Sequence, residues 1–276
     1  MASAETAWTC VTCGSQAKDH YCSHCGEAKP DHTYSFHHVF EHAFETWFHL
    51  DSKIPRTLGM LAGRPGSLTA SYFRGERKPF VSPFLVFFWA SLVFYLVQSA
   101  TGLVLFSPPL RVYSSPWQQS MVERRIEAKH IAHEEFTEKF DHASAVASKS
   151  LVIVMAVAFS LALWVVYAAR GRYWIEHLVF SMHAYSFWMF WLSLMLVIAL
   201  TAARVLHLRS LTATTDNILT ALEFGGLLIY LFGALRRFYG DGPAPAALRC
   251  VALTAGAYAL LFAYRWMLFF VGVYSS

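Results

Sequence analysis

Charge is scarce in this sequence. Asp, Glu, Lys and Arg make up 14% of 276 residues, against about 25% in an ordinary soluble domain. Apolar residues reach 56% and aromatics 16%, so one compact water-soluble core is excluded and lipid must be part of the solvent. Cysteine is also sparse: there are five, and four fall within the first 25 residues. No long apolar run precedes residue 80, so no cleavable signal peptide is expected. The cysteines then stay on the reducing side of the membrane, where metal binding is favoured over disulfides. Internal repeats are lacking, as are a nucleophile elbow, a phosphate loop and a paired-carboxylate motif, so no named reaction is indicated. The net charge of +4 is modest, and no nucleic-acid partner is expected.

What is present is a series of five apolar stretches, each able to cross a hydrocarbon core that takes roughly 20 helical residues. They lie near 84–106, 150–169, 178–200, 218–235 and 248–273. Ser82-Pro83 opens the first and Ser107-Pro108-Pro109 closes it. Arg170-Gly171-Arg172 forms a tight turn before the third, and Asp216-Asn217 resembles a cap for the fourth. Residues 107–149 form an outer loop, in which the Pro- and Gly-free stretch Met121 to Ala147 predicts a surface helix. With the N-terminus inside, thirteen Lys and Arg face the cytoplasm and eight face outward. That asymmetry favours a cytoplasmic N-terminus and a periplasmic C-terminus. The predicted fold is an all-α integral membrane helical bundle of about five transmembrane helices behind a small N-terminal module.

That module, residues 1–30, reads as a zinc ribbon. Cys10-Val-Thr-Cys13-Gly and Cys22-Ser-His-Cys25-Gly are two CxxC knuckles, supplying the four thiolates that tetrahedral zinc prefers. Gly14 and Gly26 permit the positive-φ step after each knuckle. One zinc is expected, structural because an all-thiolate site has no open position; iron is the alternative metal. Cys250 reads as a buried core thiol.

Residues 31–80 should form an amphipathic interfacial helix and a basic juxtamembrane collar. In Ser35 to Leu50, Phe36, Phe40, Phe44 and Trp47 share one helical face. The opposite face carries His38, Glu41, His42, Glu45 and His49. It is a solvated face, or a second metal site built on His38, His42 and Glu45. In the collar, Arg74, Arg77 and Lys78 lie beside Tyr72 and Phe80 just before the first span. They suit anionic lipid headgroups or plain positive-inside anchoring.

Three motifs occur in order: the cysteine ribbon; Arg64-Pro65-Gly66 followed by Tyr72-Phe-Arg-Gly75-Glu-Arg77-Lys-Pro-Phe80-Val-Ser-Pro83; and Glu176-His177-Leu178-Val179-Phe180-Ser181-Met182-His183. In these the chain resembles the bacterial membrane proteins called domain of unknown function 3667, over most of residues 10 to 200. Phe80 stands where the family pattern would have Tyr. The resemblance implies the architecture and a bacterial inner-membrane location, and it carries no activity.

Ionisable groups at bilayer depth are functional candidates by default. Glu176, His177 and His183 open the third span as a candidate polar, proton or metal site. Glu223 and Arg265, in the fourth and fifth spans, are expected to form an intramembrane ion pair. The leading function is a non-enzymatic scaffold or accessory protein whose ribbon docks a cytoplasmic or membrane protein partner, or orders the collar. The alternatives are a small transporter or channel-like protein using polar groups of spans three to five, and a membrane-embedded metalloenzyme using Glu176, His177 and His183.

Overall fold

The structure is a computed structural model that describes residues 7–29, 53–101, 107–205 and 213–276, with the side chains of 101, 203 and 213–219 excepted. The predicted aromatic and histidine helix, with His38, His42 and Glu45, lies outside the described residues.

A two-stranded antiparallel ribbon, β1 (Trp8–Thr9) and β2 (Gln16–Ala17), pairs Trp8 with Ala17. Two short helices follow, α1 (Lys53–Gly63) and α2 (Ser67–Arg74), joined through Gly66. Helix α3 (Pro83–Thr101) is the first long apolar helix. Beyond it come α4 (Pro116–Lys129), α5 (His133–Val166), α6 (Trp174–Val205), α7 (Ala213–Ala234) and α8 (Pro243–Ser275). A π-helical turn, Leu235–Tyr239, extends α7.

Among the described residues, four helices are long and apolar enough to cross a membrane: α3, α5, α6 and α8. Helix α7 occupies the predicted fourth span, between α6 and α8. The others pack so that α6 touches α3, α5 and α7, while α8 touches α5 and α7. Helix α6 meets the most neighbours, and it buries Val179, Phe180, Trp188 and Met189 among them.

Two helices are longer than a hydrocarbon core requires. At 1.5 Å per residue, α5 with 34 residues and α8 with 33 each reach about 50 Å, against a hydrocarbon core of about 30 Å. Three features depart from expectation. The surface helix predicted over 121–147 is broken at His130, which takes a left-handed φ of 54°. Its second half instead begins α5, whose first turn carries Glu134 and Glu135 where the positive helix end favours acids. Asp216-Asn217 does not cap the fourth span, because α7 has already begun at Ala213. Arg265 is not deep in a bare span. The Tyr113 hydroxyl donates to its carbonyl at 3.3 Å, and the Trp117 ring of α4 stacks on Trp266 with centroids 4.7 Å apart. The end of α8 is therefore wrapped by α4.

Candidate functional site

The ribbon positions four sulfur atoms by repeating one backbone pattern. The Cys10 N–H donates to Ser15 O at 2.9 Å, and the Cys22 N–H donates to Glu27 O at 2.8 Å. Gly14 and Gly26 close the knuckles at φ 74° and 72°, the left-handed region where a side chain would be strained. All four ligand atoms of Cys10, Cys13, Cys22 and Cys25 lie within 4.8 Å of one another. Cys10 and Cys25 Sγ are 3.5 Å apart, and Cys13 and Cys22 Sγ 3.6 Å. Tetrahedral zinc with bonds of about 2.3 Å sets sulfurs roughly 3.8 Å apart, so the cluster fits such an ion with little adjustment. Hydrogen bonds from the Ser15 side chain and backbone pull the Cys13 thiol down to about 6. Burial pushes Cys25 up to about 12. Four thiols this close cannot all ionise without a cation among them. Among the described residues this is the one group of His, Cys, Asp or Glu whose ligand atoms converge this way.

The ribbon is tied to the collar by Glu27, the residue after the second knuckle. Glu27 is 3% exposed. Its Oε2 accepts the Thr12 hydroxyl of the first knuckle at 2.7 Å and the Lys78 backbone N–H of the collar at 2.9 Å. One carboxylate thus joins both knuckles and the collar. The collar is in turn tied to the bundle: buried Thr57 Oγ1 accepts the Val81 N–H at 3.0 Å. The three basic residues proposed for headgroups are held differently. Arg74 pairs with Glu76 at 3.0 Å, Arg77 lies 4.8 Å over the Tyr72 ring, and Lys78 makes the ribbon contact through its backbone N–H.

Glu176, His177 and His183 do not converge on a common ligand. Glu176 pairs with Arg172 and accepts the Tyr173 N–H at 3.2 Å. His177 Nδ1 meets the Tyr239 hydroxyl at 2.6 Å, within the π-helical turn. Phe180 stacks on Phe238 at 5.7 Å, Ser181 donates to Ala156 O in α5 at 2.6 Å, and His183 Nδ1 meets Thr69 Oγ1 of α2 at 2.9 Å. The motif is a hub that fastens α6 to the π-helical turn through His177 and Phe180, to α5 through Ser181 and to α2 through His183. As a single metal or catalytic site it is not assembled.

Glu223 and Arg265 act on one another electrostatically, but the described ion pairs do not include them. Glu223 precedes Phe224, whose ring meets Tyr258 at 5.2 Å. Tyr258 lies seven residues before Arg265 on α8, roughly 10 Å along the axis.

A network that the sequence reading did not single out lies at the ribbon end, where α5 and α7 finish and α6 and α8 begin. The Asp241 side chain is fully buried. It accepts the Tyr167 hydroxyl on Oδ2 at 2.6 Å, and Arg170 and Arg249 both reach Oδ1, at 2.6 and 2.5 Å. Tyr167 stacks on Tyr239 with centroids 3.8 Å apart and planes 6° from parallel. Burial pushes the Asp241 carboxyl up, but Tyr167 and the two arginines outweigh it and hold the group below its usual value. Burial raises Tyr167, and its donation to Asp241 raises it further. The one available signal was a lone acid between basic residues, Arg237 and Arg249, in a short loop.

Comparisons with known proteins place one segment. No curated protein and no solved structure is matched by the chain. Residues 51–95, which comprise the collar helices and the start of α3, match the model of the family described as Protein of unknown function (DUF3667), in support of the family resemblance carried by the motifs.

Proposed function

We propose that this is a non-enzymatic scaffold or accessory protein of the bacterial inner membrane, in which a zinc-loaded ribbon orders the cytoplasmic collar for a protein partner. The observation that carries the reading is the Glu27 carboxylate, which links the two knuckles to the Lys78 backbone. A ribbon without zinc has almost no core of its own, since its buried apolar cluster is Cys10, Ala17 and Cys22. Metal loss should therefore unfold the ribbon and release the collar together. Two further features favour a scaffold over a transporter or metalloenzyme. The Glu176 to His183 motif is spent on joints between helices, and the ribbon's four thiolates leave a bound zinc no open position. The orientation that fits is cytoplasmic N-terminus and periplasmic C-terminus. It accords with the turns at Gly171 and Gly242 lying together, since Arg170 pairs with Asp241.

The test is hydrogen exchange on the full-length protein in mild detergent, before and after a chelator removes metal. Exchange at Lys78 to Val81 should accelerate along with the ribbon, and Glu27→Ala should free the same amides while zinc stays bound. Unchanged collar exchange after zinc loss would overturn the reading. Pull-down with metal analysis distinguishes the alternatives: a co-purifying partner supports a scaffold, whereas a second stoichiometric metal supports an enzyme.

A further inference from the structure

We propose that Arg170 and Arg249 form a site for the phosphate of an anionic phospholipid at the ribbon-end rim of the bundle, with Asp241 as the internal counter-charge that sets the two guanidinium groups side by side. Arg170 follows α5 and Arg249 lies two turns into α8, so they are distant in sequence and come from different helices. Both bind the same oxygen, Asp241 Oδ1, which holds their charged ends within a few ångströms of each other. Two like charges placed this closely repel, and one buried carboxylate offsets only one of them. The cluster keeps a positive charge, beside the already neutral pair of Arg172 and Glu176.

The donors to receive an anion are present. The Arg249 side chain is 29% exposed and Arg170 37%, so neither is sealed inside. A guanidinium carries five N–H groups. Arg249 donates to Asp241 and also interacts with the Tyr167 hydroxyl, while its planar group lies over the Tyr167 ring at 4.8 Å. Arg170 donates to Asp241 and to Tyr239 O. The remaining N–H groups of two adjacent, pre-oriented forks match phosphate oxygens, which prefer bidentate donors.

The flanking surface argues for a lipid phosphate over a soluble one. Val165, at the end of α5, is 69% exposed, and Leu248, next to Arg249, is 74% exposed. Both belong to long apolar helices that are able to span the membrane. Basic side chains bordered by outward apolar ones are what a headgroup with its acyl chains meets at the bilayer surface.

The experiment measures lipid retained by the full-length protein after extraction from bilayers of phosphatidylglycerol and phosphatidylethanolamine, by native mass spectrometry. The wild type should retain phosphatidylglycerol selectively. One Gln substitution should lower retention about fivefold, and Arg170→Gln with Arg249→Gln on the order of 25-fold. The conservative pair Arg170→Lys and Arg249→Lys, which keeps the charge and loses the fork, should fall in between. It also serves as the test if the Gln pair does not fold, as judged by zinc content and thermal melting. Arg124→Gln, on α4 at the opposite end, should match wild type. Wild-type retention in either paired variant would overturn the proposal. Displacement of phosphatidylglycerol by millimolar inorganic phosphate would overturn the choice of a lipid and identify a soluble-anion site.

Discussion

Gly66→Ala is the substitution whose cost can best be worked from the structure. Gly66 joins α1 to α2 at φ 79°, inside the segment that matches the family. A left-handed conformation costs an L-residue about 1–2 kcal/mol. Space is the second term: a Cβ on Gly66 would stand 2.6 Å from Ala234 O and 2.9 Å from its Cα, at the end of α7. Those atoms are backbone, so no side chain can swing aside, and the turn must lift off the helix. That movement also strains the hydrogen bond from Arg237 Nη1 to Pro65 O, 2.9 Å long. Together these terms come to about 3 kcal/mol, in the upper range for single substitutions. Thermal unfolding in detergent should then fall by roughly 6–12 °C, taking 2–4 °C per kcal/mol. Gly59→Ala is the control: it lies within α1, its Cβ would meet nothing within 4 Å, and it should gain up to about 1 kcal/mol of helix propensity. If Gly66→Ala melts with wild type, the tight docking of this turn on α7 is refuted.

Cys13→Ser and Cys25→Ser should each lower the zinc content measured by elemental analysis while the protein still inserts in membranes; full zinc in both would remove the ribbon assignment. Asp241 has a depressed folded-state value, so its stabilising contribution is complete above the unfolded value of about 3.9 and is lost as pH falls through the lower folded value. Asp241→Asn should cost about 2 kcal/mol at neutral pH, discounted from the full buried-pair penalty because the arginines are partly exposed. It should also flatten the acid side of a stability profile, and an unchanged acid profile would refute this role. Thr69→Val should cost about 1–3 kcal/mol by leaving the buried His183 Nδ1 without its partner, and an unaltered melt would show that the joint is dispensable. A reporter enzyme active only in the cytoplasm should stay silent when fused at Ser276; strong activity there would reverse the orientation.

The ribbon was legible because its chemistry is local. Two CxxCG knuckles state their ligands, spacing and turn residues within 16 positions, from Cys10 to Cys25, and the folded backbone adds only the convergence of the sulfurs. The apolar helices were legible for a similar reason, since length and composition decide what can cross a bilayer. Their ends were harder to read: the predicted surface helix breaks at His130, and its second half joins the apolar stretch as one continuous α5. The Glu176 to His183 motif announced chemistry by its residue types, yet its side chains radiate to α2, α5 and the turn before α8. Which face of α6 meets which neighbour is a property of packing, and no spacing along one helix contains it. Asp241 was the reverse case, an unremarked acid in a short loop. Its importance comes from Tyr167, Arg170 and Arg249, brought to it from 74, 71 and 8 residues away. The sequence by itself determined the four-cysteine cluster and the apolar helices, because those depend on residue type and local spacing. Tertiary structure alone decided the Glu27 bridge and the Asp241 network, because a buried charge selects its partners by proximity in space.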